Sequence, residues 1–248
     1  MGPIQKIILG SVSLMLLEMA CQPSQIPDCF QAGGNHGTIE MAIPAFEEIV
    51  LQDHLHYILH QDSVFHCTIE GPENLLNEID FHLEDQTLTV SNQNTCNIVR
   101  SYNRNISVHI YAPYFSKISN ESTLQIDCAD TLKQPYLYFH QSQASSNTTL
   151  LLHCDSVWVE IPTGHGDVCL KGQSSVTKLY SGSVGILDAR NLFTRQLFCN
   201  QSAIQDMFVR STDYAYIEIT NLGNVFFATP TNQVDLNLSG EGQYLALP

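Results

Sequence analysis

The chain has 248 residues, 44% of them hydrophobic and only 14% charged, a balance that fits a folded protein of one or two domains and excludes a disordered one. Ten Lys and Arg stand against 25 Asp and Glu, leaving a net charge of −15. A surface this acidic repels phosphates, which argues against nucleic acid as a partner, and it repels anionic lipid headgroups, so a membrane would have to be reached through a covalent anchor.

The first twenty residues hold a lone Lys6, an apolar run over residues 7–17, and then Glu18-Met-Ala-Cys21. The run is too short to cross a bilayer as a helix and suits the core of a signal peptide. A small residue before a cysteine at this place resembles a bacterial lipoprotein leader, which is cut before the Cys that then carries lipid. Glu18 departs from that pattern, where Leu is usual, and an ordinary cleaved secretory leader is the alternative. The expectation is a signal peptide over 1–20 and lipidation at Cys21, giving a protein of the cell envelope held to the outer membrane by its lipid. Residues 21–37, with two prolines and three glycines, read as a flexible tether to a domain over 38–248.

Without Cys21, seven cysteines remain: Cys29, Cys67, Cys96, Cys128, Cys154, Cys169 and Cys199. Export permits disulfides, but an odd count leaves a thiol free. Most are expected to be small buried core residues, with one or two disulfides of unassigned pairing. No Cys-x-x-Cys occurs, so a zinc ribbon has no support.

From Ile49 to Glu70 apolar and polar residues alternate. Leu55, Tyr57 and Leu59 fall on one face, His54, His56 and His60 on the other, and Phe65, Cys67 and Ile69 continue the pattern after Gln61-Asp-Ser63. This predicts a hairpin with one buried and one wet face. Further strands are predicted to end in Leu88-Thr-Val90 and to run over Ile106 to Tyr111, and short β-type runs follow at Leu124–Ile126, Leu137–Phe139, Leu150–Leu152 and Val157–Ile161. No segment carries a helical period over three turns.

In the last third, a Gly- or Asn-led turn followed by an apolar residue recurs five times, with anchors Val168, Ile186, Ile204, Val225 and Tyr244 spaced by 18, 18, 21 and 19 residues. Second strands lie between them at Leu179, Leu197, Ile217 to Ile219 and Leu236 to Leu238. A period near 20 made of turn residues and short β runs is the mark of a coil that stacks on itself. The fold expected is all-β: a right-handed β-helix or β-solenoid with rungs of about 18–21 residues in the C-terminal half. Aspartate does not recur in register in the phrase, so it reads as scaffold and not as a calcium-binding array.

These segments together resemble the bacterial family described as putative auto-transporter adhesin, head GIN domain. The resemblance rests on residues 39–51, on Glu70-Gly-Pro-Glu-Asn-Leu-Leu76, on Ser107-Val-His-Ile-Tyr-Ala-Pro113 with Tyr-Phe-Ser-Lys-Ile118, and on Ile186-Leu-Asp-Ala-Arg-Asn-Leu192. It covers Thr38 to about Leu247 and departs from the family pattern at Cys199-Asn-Gln-Ser202 and Asn221-Leu-Gly223. It implies an exported protein, often a lipoprotein, with a β-helix-like fold and a role in adhesion.

The chemistry sought is sparse. His54, His56 and His60 in phase, with His66 on the next strand, could offer imidazoles to zinc or copper, but a solvated face of a His-rich strand explains them as well, and no metal or other cofactor is expected. Ser181-Gly-Ser-Val-Gly185 superficially resembles a nucleophile motif but lacks its spacing and falls on the repeat's turn. Asp155, Glu160, Asp167 and Asp188 would be the carboxylates of a carbohydrate-active β-helix enzyme, were they to share a groove. The leading reading is a non-catalytic envelope lipoprotein that offers its surface to a glycan or a protein, with Tyr136, Tyr138, Trp158, Tyr214 and Tyr216 as the aromatic residues to watch. An enzyme or a purely structural envelope protein is the alternative.

Overall fold

The computed structural model describes residues 34–94 and 105–247. The expected signal peptide over 1–20 and lipidation site Cys21, together with Cys29 and Cys96, lie outside the described residues. What is described is a β-solenoid whose strands form one continuous hydrogen-bonded network, with a single short helix.

The regular part shows how sequence makes a rung. In β10 (Leu132–Gln141), β11 (Thr148–Ile161) and β12 (Val168–Ser181) every second residue points inward, as a pleated strand requires. In these three strands the alternation slips once. Pro135-Tyr136, Asp155-Ser156 and Ser175-Val176 are pairs of consecutive outward residues, and at each the strand turns a corner from one wall to the next. In β13 (Leu187–Gln201) the corner pair is Arg195-Gln196, and a second outward pair, Arg190-Asn191, falls where the β12–β13 register shifts.

Strands of successive rungs run parallel and in register. The next two rungs are split, as β14 (Met207–Val209) with β15 (Ser211–Ile219), then β16 (Val225–Phe227) with β17 (Gln233–Leu238); β18 (Tyr244–Ala246) ends the series. On the wall after the corner the inward columns are Leu137, Val157, Thr177, Leu197, Ala215, Val234 and Phe139, Val159, Leu179, Cys199, Ile217, Leu236. The wall before the corner carries the column Thr148, Val168, Leu187, Met207, Val225, Tyr244.

That column corrects two of the expected anchors. Val168, Val225 and Tyr244 belong to it, but the residues in phase between them are Leu187 and Met207, one and three positions beyond Ile186 and Ile204. The turns differ in length from rung to rung, so counting from the turn glycine lands short. Ile204 falls on a turn and is 55% exposed.

The N-terminal third builds the start of the solenoid differently. The strands are β1 (His36–Ala42), β2 (Glu48–Asp53), β3 (His56–Gln61), β4 (His66–Pro72), β5 (Ile79–Glu84), β6 (Thr87–Asn92), β7 (Ser107–Ala112), β8 (Lys117–Ser122) and β9 (Ile126–Cys128). The first described strand, β1, begins at His36. The predicted hairpin does not form. β3 pairs in parallel with β7 and β9, and β4 pairs antiparallel with β1 and β7, so β7 lies between the two strands that were expected to meet. The faces were read correctly, since Leu55, Tyr57, Leu59, Cys67 and Ile69 are all buried. β5 and β6 do form a hairpin, across Asp85 and Gln86, whose φ of 46° and 65° suit the tight turn that matches strand twist. The helix α1 (Glu73–Leu76) places Leu75 and Leu76 in the core between β4 and β5.

Of the five described cysteines, Cys67, Cys128, Cys154 and Cys199 are buried, Cys169 is half-buried, and no disulfide joins them. Cys169 and Cys199 sit in different columns, as their spacing predicts.

Between rungs, turns stack backbone on backbone. A Cβ on Gly166 would lie 1.8 Å from the Ser146 carbonyl oxygen, and one on Gly185 would lie 2.2 Å from that of Gly166. Neither atom belongs to a flexible side chain, so the rungs themselves would have to part. Gly166→Ala is expected to lower unfolding stability by about 1–3 kcal/mol, the usual cost of overpacking a close contact, in a urea titration followed by circular dichroism.

Candidate functional site

The corner-to-turn wall carries the most organised outward surface. Because each rung sits about 4.8 Å from the next, outward residues in register form continuous columns. One column reads Lys117, Tyr138, Trp158, Lys178, Phe198, Tyr216, Asp235. The column beside it, at the corner, reads Tyr136, Ser156, Val176, Gln196, Tyr214, Gln233. On the other flank come His140, Glu160, Tyr180, Asn200, Glu218, Asn237. All five aromatic residues singled out in the sequence therefore meet on one wall, three in one column and two in the next.

The side chains within this ladder touch. The Tyr138 and Trp158 rings are 5.0 Å apart, and Phe198 and Tyr214 are 5.8 Å apart. Lys178 Nζ is 5.5 Å from the Trp158 ring centre and Lys117 Nζ is 5.9 Å from that of Tyr138, both within cation–π range. Tyr136 and Trp158 remain 42% and 38% exposed, enough to present a ring face to a ligand.

Polar groups hold the ladder from the sides. The Tyr138 hydroxyl donates to Glu160 at 2.7 Å, and burial together with this hydrogen bond raises its pKa to about 12. The Tyr214 hydroxyl donates to Asp235 at 2.9 Å, and that bond, followed by burial, shifts it upward too. Asn200 and Asn237 both donate to Glu218, at 2.6 and 3.0 Å. Lys117 pairs with Glu48 at 2.9 Å. Among the described residues Lys178 makes no ion pair. Sequence reading missed Phe198 and the lysines, although Tyr138, Trp158, Lys178 and Phe198 follow one another at intervals of twenty residues, the period of the rung.

The histidine candidates share a different wall and do not converge. His54 Nδ1 lies 2.9 Å from Thr123 Oγ1, and His56 Nε2 lies 3.1 Å from Asp127. The Tyr111 ring is sandwiched between His60 and His66, at 4.2 and 4.0 Å between ring centres, which keeps those two imidazoles apart. His60 instead hydrogen-bonds His109, which the sequence reading did not include, at 3.0 Å. Among the described residues no three His, Cys, Asp or Glu side chains are grouped to hold a metal ion.

Ser107 Oγ stands 3.5 Å from His56 Nδ1, on the other side from Asp127, near a polar hollow of about 290 Å³ lined in part by His56, Gln125 and Asn147. The serine distance is too long for an activating hydrogen bond, and the row reads as neighbouring columns of one sheet. The four carboxylates of the enzyme reading do not share a groove either. Glu160 belongs to the aromatic wall, Asp155 lies at the corner, Asp167 accepts from the Ile186 amide in a turn, and Asp188 pairs with Arg190 on the preceding wall.

Over residues 45–230 the sequence matches the model of the family described as putative auto-transporter adhesin, head GIN domain. The chain belongs to this family. No curated protein sequence matches it. Solved structures similar to this head GIN domain include a putative adhesin from Bacteroides fragilis, with TM-score 0.78 at 20% identity over 86% of this chain and 97% of that one. Putative adhesins from Parabacteroides distasonis (0.68, 17% identity, 86% and 98% covered) and Parabacteroides merdae (0.60, 16% identity, 88% and 98% covered) share the fold. At these identities the likeness establishes the solenoid and leaves ligand and chemistry to the side chains.

The histidine wall has a consequence for stability. Burial, then the neighbouring His109, lowers the pKa of His60 below the usual 6.5, with Asp130 opposing and His66 adding to the repulsion. The unfolded chain thus binds the proton more readily. Stability from this group is complete above pH 6.5 and is lost as pH falls below that value. The thermal midpoint is expected to drop over this range, and His60→Gln to flatten the dependence.

Proposed function

We propose that this protein is a non-catalytic adhesin of the cell envelope that binds an extended glycan along its aromatic wall. The observation that carries the reading is the column Tyr138, Trp158, Lys178, Phe198, Tyr216, flanked by a column of hydrogen-bonding side chains from His140 to Asn237. Sugar rings present apolar C–H faces edged by hydroxyls. Aromatic faces take the first, and planar Asn, Glu and His groups take the second. The rung spacing of about 4.8 Å is close to the rise of one pyranose in an extended chain, so successive sugars can meet successive rungs. Family membership supports adhesion in general, and the acidic surface disfavours nucleic acid.

The sequence supports an anchor for this surface. Cleavage before Cys21 and lipidation there would tether the solenoid to the outer membrane. Cys21→Ser is expected to move the protein from the membrane fraction to the soluble fraction, and an unchanged distribution would remove the lipoprotein reading. Protease added to intact cells would separate a surface-facing protein from a periplasmic one.

Trp158 is the chain's single tryptophan, so its fluorescence reports this wall alone. Titration with soluble oligosaccharides of neutral and acidic polysaccharides is expected to shift or quench the emission. Trp158→Ala is expected to weaken binding, measured by calorimetry, by about fivefold, as the loss of about 1 kcal/mol of aromatic stacking implies. Binding of a protein fraction with no response to any glycan would favour the protein-ligand alternative.

A further inference from the structure

We propose that two copies of this chain join end to end through β17, about a two-fold axis at Leu236. The column positions that are buried in every preceding rung reach solvent in the last one. Ile217 and Ile219 are fully buried, but Leu236 and Leu238, directly over them, are 50% and 49% exposed. β17 pairs with β15 alone and β18 with β16 alone, so both strands leave a free edge among the described residues. Within β17, Gln-Val-Asp-Leu-Asn-Leu, there is no Lys, Pro or bulge to blunt that edge. An apolar, unprotected edge strand is a template for pairing.

The opposite end of the solenoid is built in another way. There the antiparallel pairs β1–β4 and β5–β6 close the coil, and α1 buries Leu75 and Leu76 beneath them. β5 turns Asp80, His82 and Glu84 to solvent. Head-to-tail stacking would set an open apolar core against a closed, charged end. A second copy of the same end is the partner that matches, and the contact is then isologous and stops at two.

Strand periodicity fixes the register. Paired residues must share a face, so the two-fold has to pass through a residue and not between two. Centred on Asp235, it would set the two aspartates opposite each other, a repulsive pair. Centred on Leu236, it sets Leu236 against Leu236 and Val234 against Leu238 on the inner face. On the outer face Asp235 then meets Asn237, whose amide can donate to the carboxylate. No like charges oppose, and the three apolar residues of β17 are all covered.

The full chain, measured by light scattering after size-exclusion chromatography over a range of concentrations, is expected to show twice the mass of one chain. Leu236→Lys should return it to the monomer with most of its β-sheet circular dichroism retained, because Leu236 ends its column and is already 50% exposed in its own copy. Leu222→Lys, at a similarly exposed turn residue, should leave the dimer unchanged. Exchange of the β17 amides that point away from β15 in the unmutated chain should slow as concentration rises, a readout that holds even if the lysine variant fails to fold. A monomer at all concentrations, a dimer indifferent to Leu236→Lys, or filaments that grow with concentration would each overturn the proposal. So would protection of those outward amides in a chain that light scattering shows to be a monomer, since that would place part of the same chain over the edge.

Discussion

The structure rests on one constraint: each rung can bury its inward row only beneath the rows of neighbouring rungs. A single rung of short strands has no core of its own. Stacked in parallel register, Leu137, Val157, Leu197 and their equivalents form columns, and those inside the stack are excluded from water on all sides. Apolar burial at about 25 cal/mol per Å² then accumulates rung by rung. Corners, turns and ends follow from keeping that register. A slip of one residue is allowed where two outward residues come together, and a side chain is forbidden where the turns at Gly166 and Gly185 lie against the carbonyl of the rung below.

The same register produces the candidate site at no structural cost. Outward positions are not needed for the core, yet the stacking lines them up as strictly as the inward ones. A surface column therefore needs only one suitable residue per rung. Here aromatic rings and lysines occupy the central column, while Glu160 and Glu218 are set one column aside, where they accept hydrogen bonds from Tyr138, Asn200 and Asn237. In a chain with a net charge of −15, that leaves a ring-lined strip free of carboxylates from Tyr138 to Tyr216.

Local pattern carried the fold class, and long-range pairing was beyond it. Alternation identified the buried face of β3 and β4 correctly, because burial depends on a period of two within a strand. It could not show that β7, some forty residues later, would be inserted between them, since alternation says which face is apolar and nothing about which strand lies alongside. The anchors fail at Ile186 and Ile204 for a related reason: turns of unequal length shift the phase, and only the pairing of Leu187 with Met207 restores it. The aromatic wall was more legible. Tyr138, Trp158, Lys178 and Phe198 keep the twenty-residue interval of the rungs, and a reading that followed outward residues at that period would have added Phe198 and Lys178 to the tyrosines and Trp158. His109 had no such signal, because it meets His60 through the non-local β3–β7 pairing.

Among the described residues the stack stands without disulfides. Cys67, Cys128, Cys154 and Cys199 occupy buried positions where an apolar residue of similar size would serve. Cys199 takes its place in the column between Leu179 and Ile217, touches the sulfur of Met207, and has its thiol pushed up to about 12 by burial. Cys67 and Cys128 are raised to about 12 by the same desolvation. A thiol held that far from ionisation supplies almost no thiolate, the species that oxidation and exchange require. An oxidising compartment would then leave these three residues as they are, packed as small hydrophobes. Cys169, half-buried on an outward column beside Asp188, differs from them in exposure, and desolvation followed by that carboxylate still moves its thiol upward.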